Sequence, residues 1–309
     1  MGDIFRHSDL RSQSASKGKR SIWNWEGAIH RIYRNSRGTI GMKIALIGTC
    51  RMHDPLQNLW SDESYIVLND KRPSFTHNSS EIIQRIEHYG GDYVYPEELQ
   101  DYQIQTSSTT LKEGIEISDV DFFIVEISSL KLIQFNKHHL QWNYITSQVR
   151  EKLGGEIGEK WLTMMHDAFK GEGGKVAKTD IFDYPGHISE EVIKILSSVE
   201  VRTQSLEDLE DDMKKIHGLT RGKVIFVTHI NATGKGGSEI KARSGLIRSI
   251  VEICNNNGFR CIDPSEMLSS IGQKKLMNEM GEDTEHYNKE VIDEIGQFLL
   301  GRVFEAYNE

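Results

Sequence analysis

Short apolar runs alternate with amphipathic stretches along most of the chain. Runs of four to seven residues rich in β-branched and aromatic side chains predict buried parallel strands, at residues 43–47, 121–127, 223–228 and 259–262. Apolar residues at helical spacing predict amphipathic helices, at residues 240–254 and 291–303. Strands that alternate with helices form a parallel sheet with helices on both faces. The pattern therefore predicts an α/β fold, a three-layer α/β/α sandwich.

Two polar signals predict where further helices begin. Asp54 followed by Pro55 is typical of a helix start, with Asp54 as the N-cap and Pro55 at the first helical position. Asn78 and Glu81 have the spacing of a capping box ahead of an apolar stripe. Helix starts are thus expected at residues 54 and 78.

Two regions depart from the regular alternation. Residues 131–222 have a mostly helical, charged pattern interrupted by glycine pairs at 154–155 and 173–174, which we interpret as a helical insertion that caps the sheet. This insertion belongs to one α/β domain over residues 42–309. Residues 1–41 hold eight Lys or Arg against three Asp or Glu and precede the core, which begins at Met42. They are interpreted as a basic N-terminal extension that folding does not require.

Charge and composition narrow the function classes. The net charge is −9, and the basic extension leaves an acidic body that does not suit a nucleic-acid-binding protein. No apolar run reaches the ~18 residues of a membrane span, and the N-terminus lacks the apolar core of a secretory signal. The three cysteines match neither a disulfide framework nor a zinc motif, so we expect a cytoplasmic protein without a metal site. Weak contact of residues 1–41 with an anionic membrane surface or RNA is a minor alternative.

Cys50 follows the first predicted strand, and ligand sites of parallel sheets lie at the carboxyl ends of the strands. A helix N-terminus and the neighbouring Arg51 would lower the pKa of its thiol, as a thiolate nucleophile requires. The alternative is a buried structural cysteine. Cys254 and Cys261 fall in apolar segments and are assigned to the core, so Cys50 is expected to be the most reactive of the three.

A second signal lies before the last predicted helix, where Asp283 precedes His286 by three residues. An Asp at this spacing can fold back and orient the imidazole, which then serves as a general base. The alternative is structural: Asp283 or Thr284 caps the last helix and His286 is solvated.

Together the two signals resemble the SGNH (GDSL-like) hydrolase superfamily over residues 42–305. Gly48-Thr49-Cys50 stands where that superfamily has Gly-Asp-Ser, and Asp283-Thr-Glu-His286 stands for its Asp-x-x-His. The resemblance implies an SGNH/flavodoxin-like sheet and a Cys50, His286 and Asp283 triad. Cysteine at the serine position is similar to a branch that includes GSCFA-type proteins and capsular polysaccharide acetyltransferases.

The resemblance implies acyl transfer. With water as acceptor the enzyme would be an esterase or deacylase, and with a sugar hydroxyl an O-acyltransferase, with surface polysaccharide biosynthesis as the implied setting. The implied partners are a carbohydrate acceptor and a small-molecule acyl donor such as acyl-CoA, and no resident cofactor is required.

Donors for the oxyanion are harder to assign. The backbone N–H of Cys50 is the first candidate. Further candidates for substrate or oxyanion contacts follow strands or precede helices: Arg51, His53, His77, Ser128, His229 and Asn231. The superfamily's Gly-x-Asn-Asp block is not evident, because serines stand at residues 128–129. A non-catalytic SGNH-like binding protein is therefore the alternative, and the geometry of Cys50 and His286 discriminates between the two.

Overall fold

The computed structural model describes residues 42–58, 65–67, 75–104, 116–170, 174–175 and 188–308. The basic extension, residues 1–41, lies outside this part of the chain, so its role stays a prediction. The strands of the described part are β1 (Met42–Ile47), β2 (Tyr65–Val67), β3 (Phe122–Glu126), β4 (Lys131–Phe135), β5 (His138–His139), β6 (Gly174–Lys175), β7 (Val199–Thr203), β8 (Val224–Val227) and β9 (Arg260–Ile262).

The α-helices of the described part are α1 (Cys50–Asn58), α2 (Ser79–Tyr89), α3 (Gln100–Gln103), α4 (Trp142–Leu153), α5 (Gly155–Lys170), α6 (Glu190–Leu196), α7 (Leu206–Leu219), α8 (Lys241–Asn257), α9 (Glu266–Ile271), α10 (Gln273–Leu276) and α11 (Ile292–Asn308). Short 3₁₀ turns lie at Glu97–Leu99, Ile117–Asp119, Lys235–Gly237, Glu279–Gly281 and Lys289–Val291. Among these described helices, none is both long and apolar enough to cross a membrane.

A five-stranded parallel sheet forms the centre, in the order β2-β1-β3-β8-β9. Every residue of β3 and β8 is buried, which explains why these strands read as continuous apolar runs. Helices α2, α7 and α8 pack on one face around Phe123 and Phe226. Helices α1 and α11 pack against each other, and the inward side of α11 is buried. The predicted α/β fold, with a parallel sheet flanked by helices, is confirmed.

The inserted region contains more than the predicted helices. Helices α4 and α6 pack against α5 in a core that includes the fully buried Trp161 of α5, as the helical pattern indicated. A second sheet, antiparallel and in the order β5-β4-β7-β6, was not predicted. Its longer strands carry exposed polar residues among the buried ones, for instance the exposed Glu200 between the buried Val199 and Val201 on β7. Such short segments lack the strong apolar signal of the central strands.

The two predicted helix starts have different outcomes. Asn78 caps α2, because its Oδ1 accepts the Glu81 N–H at 2.9 Å. The prediction for Asp54 is wrong: α1 already begins at Cys50, and Pro55 lies inside the helix. The Thr49 carbonyl accepts the N–H groups of Met52 and His53 at 3.1 Å each, so the helix starts directly after the strand turn. Pro55 removes one backbone hydrogen bond from the second turn, but the helix continues through this residue to Asn58.

Candidate active site

The turn after β1 brings Cys50 to the carboxyl edge of the sheet. A Cβ atom on Gly48 would lie 2.7 Å from Glu126 Cβ, so only glycine allows the end of β1 to approach the end of β3 this closely. Glu126 Oε2 accepts the Thr49 N–H at 2.9 Å, which fixes the turn. Cys50 is therefore the first residue of α1, and its backbone N–H belongs to the free N–H groups of a helix N-terminus.

The Cys50 thiol is less acidic than its position at a helix start suggests. Burial raises its pKa above the usual 9.0, and the Arg51 charge and the Arg51 backbone N–H lower it without compensating. Negative charges on Asp54 and Glu126 act in the same direction as burial. The predicted lowering of the thiol pKa is therefore wrong. The thiol is mostly protonated at neutral pH and needs a base to become a nucleophile.

Asp283 holds His286 in a defined orientation. His286 Nδ1 donates to Asp283 Oδ2 over 2.9 Å, and Asp283 Oδ1 accepts the backbone N–H groups of Glu285 at 2.8 Å and His286 at 3.1 Å. Burial acts to raise the pKa of Asp283, but these hydrogen bonds hold it below its usual value. The arrangement leaves His286 Nε2 as the ring nitrogen available for proton transfer.

The cap assignment for Asp283 or Thr284 is wrong, whereas the His286 side chain is 58% exposed, as the structural alternative expects. The last helix is preceded by a 3₁₀ turn whose N-cap is Asn288, which accepts the Glu290 N–H at 3.0 Å. Neither Asp283 nor Thr284 caps it. Asp283 instead serves its own loop and the imidazole of His286.

Cys50 and His286 line the same cavity, of about 360 Å³. The rest of its lining consists of Arg51, Asp54, Asn278, Tyr287, Lys289 and Ile292. Within the described residues, no hydrogen bond joins the Cys50 sulfur to His286. The cavity is therefore the space in which a reacting group would contact both side chains.

A network of charges behind the cavity fixes the loop that carries His286. The Glu285 carboxylate pairs with the Arg243 guanidinium, lies 3.5 Å from His229 Nε2 and 3.5 Å from Arg51 Nη1. Arg51 also donates through Nε to Glu126 Oε1 at 2.9 Å. The hydrogen bond with His229, together with the two guanidinium charges, lowers the pKa of Glu285 to about 2. The loop is thus tied to the ends of β1, β3 and β8 and to α8.

Two predicted site residues have structural surroundings that sequence reasoning did not anticipate. Arg51 lines the cavity, but its Nε is bound to Glu126. His53 is 1% exposed, does not line the cavity and packs near Phe75, with ring centroids 5.9 Å apart. Neither of its ring nitrogens has a hydrogen-bond partner in the described part of the chain. Burial lowers the pKa of His53 to about 3.

The other predicted residues hold loops near the site and do not line the cavity. Gln141 Nε2 donates to His77 Nδ1 at 2.8 Å, and the backbone N–H of Ser128 donates to the His77 carbonyl at 2.8 Å. His229 Nδ1 lies 2.9 Å from the Ile230 carbonyl, and the Asn231 N–H donates to Ser265 Oγ at 2.9 Å.

Sequence reasoning missed four polar residues of this region. Asp54 was assigned to a cap, although four residues after Cys50 on a helix is a position on the same face. Tyr287 and Lys289 follow His286 closely and could have been found by that proximity. Asn278 carries no sequence signal, because its backbone N–H reaches the His286 carbonyl at 3.0 Å only in the folded chain.

In the described residues no group of three His, Cys, Asp or Glu is arranged to hold a metal ion.

Comparisons with known proteins place the chain in a family. Residues 42–302 match the model of the TviD N-terminal domain. The Vi polysaccharide biosynthesis protein TviD of Salmonella typhi is 28% identical over 266 residues, which cover 85% of this chain and 31% of that protein. The chain thus spans about a third of the length of this curated relative. A proposed arylesterase from Agrobacterium tumefaciens strain C58 is a remote structural likeness, with 9% identity, 85% of this chain and 99% of that chain covered, and a TM-score of 0.30. Because the family match includes nearly all of the α/β domain, the chain belongs to the TviD N-terminal domain family.

Proposed function

We propose that this protein is an acyl-transfer enzyme in which Cys50, His286 and Asp283 form a Cys-His-Asp triad. The observation that carries the proposal is geometric: Cys50 and His286 line one cavity, and Asp283 holds the Nδ1 side of the imidazole. The reaction class is an O-acyltransferase or an esterase that acts on a carbohydrate or another acyl ester.

The first half-reaction acylates Cys50. His286 Nε2 removes the thiol proton as the sulfur attacks the acyl carbonyl, because the raised pKa of Cys50 leaves little thiolate at neutral pH. The backbone N–H of Cys50, at the start of α1, donates to the developing oxyanion. The donor's leaving group departs with the proton from His286, and a thioester remains on Cys50.

The second half-reaction releases the acyl group. His286 takes a proton from the acceptor hydroxyl, whose oxygen attacks the thioester carbonyl. The carbon–sulfur bond breaks, and the proton on His286 returns to the Cys50 sulfur. Asp283 keeps the imidazole in one tautomer and stabilises the imidazolium that forms in both halves.

The family supports a carbohydrate acceptor. The relative from Salmonella typhi is described as a Vi polysaccharide biosynthesis protein, which agrees with a sugar hydroxyl as the acyl acceptor. We propose a small-molecule acyl donor such as acyl-CoA and a cytoplasmic location. This chain covers 31% of the length of that relative, so the proposal concerns the matched domain and not the activity of the whole relative.

Mass spectrometry of the intact protein with p-nitrophenyl acetate or acetyl-CoA tests the proposal. We expect one acyl adduct that maps to Cys50, and loss of most of the acylation rate in both Cys50→Ala and His286→Ala. The double variant should lose little more, since members of one catalytic unit are not additive. Cys261→Ala is the matched control and should acylate like the wild type. Wild-type acylation in His286→Ala, or an adduct only on Cys261, would reject the triad.

A non-catalytic binding protein is the second candidate. The raised pKa of the Cys50 thiol and the absence of a hydrogen bond from it to His286 in the described residues favour this alternative. It predicts saccharide binding without any adduct on Cys50. The same mass measurement, combined with a binding titration, separates the two functions.

A further inference from the structure

Apart from His286 and Tyr287, three polar side chains of the cavity have unused hydrogen-bonding capacity. The Asp54 carboxylate, the Asn278 amide and the Lys289 ammonium make no hydrogen bond or ion pair with any residue that the structure describes. By contrast, Arg51, which also lines the cavity, and Glu285 behind it are both paired. The cavity thus keeps one acceptor, one amide and one cation free for a ligand.

These three side chains come from both segments that carry the reactive pair. Asp54 lies one helical turn after Cys50 on α1, so both side chains project from the same face. Asn278 is tied to the His286 carbonyl through its backbone N–H, and Lys289 follows His286 by three residues. Burial raises the pKa of Asp54, and the charges of His286 and Lys289 lower it, which agrees with their proximity. A molecule in contact with all three would therefore lie beside the Cys50 sulfur.

The chemistry of this set fits a polyhydroxylated ligand. A carboxylate accepts hydrogen bonds from hydroxyls, an amide both donates and accepts them, and an ammonium donates to hydroxyl or ring oxygens. Tyr287 and Ile292 add apolar surface for the C–H side of a sugar ring. The cavity volume of about 360 Å³ lies in the range of small-molecule sites.

We propose that Asp54, Asn278 and Lys289 form the acceptor subsite, in which a saccharide is bound beside the acylated Cys50. The subsite rests on the proposed acyl-transfer function. Asp54 accepts a hydrogen bond from a hydroxyl adjacent to the reacting one, and so holds the sugar with its nucleophilic oxygen toward the thioester. Asp54 is a positioning residue in this role, because His286 remains the base. The Asp54 carboxylate then determines the ratio in which the acyl group of the thioester is transferred to a sugar hydroxyl or to water.

Partition of a preformed acyl-enzyme tests the subsite. The protein is acylated with p-nitrophenyl acetate, freed of excess reagent and mixed with a series of methyl hexosides, and acylated sugar and free acetate are then quantified. We expect Asp54→Asn to lower the ratio of transfer to hydrolysis at least tenfold. Lys289→Met and Asn278→Ala should raise the sugar concentration at half-maximal transfer. The ratio does not depend on how much protein is folded, because both products come from the same acyl-enzyme.

Glu290→Gln provides the matched control, because it removes a carboxylate from the same 3₁₀ turn as Lys289 without changing the cavity lining. It should partition like the wild type. An unchanged ratio in Asp54→Asn, or no transfer to any methyl hexoside by the wild type, would overturn the subsite.

Failure of the proposed function has a different signature. In that case the wild type forms no acyl-enzyme, and the subsite is measured by titration of the same methyl hexosides against the wild type and Asp54→Asn. Binding that weakens in Asp54→Asn supports the subsite on its own. Equal binding, or no binding to the wild type, rejects it.

Discussion

Arg51 Nε donates a 2.9 Å hydrogen bond to Glu126 Oε1, and the two side chains are only 8% and 1% exposed. This buried ion pair links the residue after Cys50 to the end of β3. Burial acts to raise the pKa of Glu126, but the Arg51 charge and the hydrogen bonds from Thr49 hold it below its usual value. The carboxylate is therefore charged, and the pair fixes the helix start that carries the candidate nucleophile.

Removal of the charge on Glu126 should be costly. In Glu126→Gln, the guanidinium of Arg51 stays buried without its main counterion, so we expect the free energy of unfolding to fall by about 3 kcal/mol. Urea unfolding at pH 7 measures this loss. Glu159→Gln breaks the exposed pair with Arg150 and should cost less than about 1 kcal/mol. Equal losses in the free energy of unfolding for the two variants would show that the buried pair contributes no more to stability than the exposed one.

Gly48→Ala tests the close approach of β1 and β3. The new methyl group would lie 2.7 Å from Glu126 Cβ, so we expect a loss of stability of about 1–3 kcal/mol through overpacking. Gly245→Ala on α8 is the control, because a Cβ there meets no atom within 4 Å. That variant should gain up to about 1 kcal/mol from helix propensity. Thermal unfolding of both proteins checks the contrast, and a neutral Gly48→Ala would contradict it.

Alkylation of Cys50 should increase with pH. Because burial raises the pKa of the thiol above 9.0, the labelling rate with iodoacetamide should rise by roughly tenfold per pH unit from pH 7 to 9. Peptide mapping follows each cysteine separately, and the fully buried Cys254 should stay unlabelled as long as the fold is intact. A plateau of the Cys50 rate below pH 8 would mean that the thiolate is already stable at neutral pH.

His53→Leu should remove a source of acid instability. The folded protein keeps the pKa of His53 at about 3 against 6.5 in the unfolded chain, so the stability present above pH 6.5 is lost as the pH falls. The two ring nitrogens have no partners in the described residues, hence an apolar replacement should change stability at pH 7 by less than about 1 kcal/mol. At pH 4.5 the variant should be about 2 kcal/mol more stable relative to the wild type. Denaturation at both pH values measures this, and parallel losses would exclude His53 as the cause.

The fold was predictable from the sequence where strands are buried on both faces of the sheet. Strands β1, β3 and β8 are buried on both faces, and such strands appear in a sequence as unbroken apolar runs. The start of α1 was misassigned because Asp54-Pro55 has the chemistry of a cap, while the real start depends on the Thr49 carbonyl. The second sheet was missed because its strands are short and their apolar residues are interrupted by polar ones.

The site was predictable only in part, for a related reason. Cys50 and His286, which line one cavity, could be singled out because each belongs to a recognisable local pattern. Arg51 and Glu285 are 234 residues apart, so no local pattern reports their contact. The raised pKa of the Cys50 thiol results from burial by other segments, and a helix-start argument alone gives the opposite sign.

The distance along the chain between the two halves of the cavity also bears on biosynthesis. A ribosome completes the segment with Cys50 long before the one with His286, so the candidate nucleophile is synthesised well before the candidate base. Contacts between such remote segments form late and slow the final folding step. In the proposed function, acylation of Cys50 requires that the segment with His286 already lies beside it. Acylation of Cys50 would report completion of folding more strictly than circular dichroism, which records the sheet and helices alone.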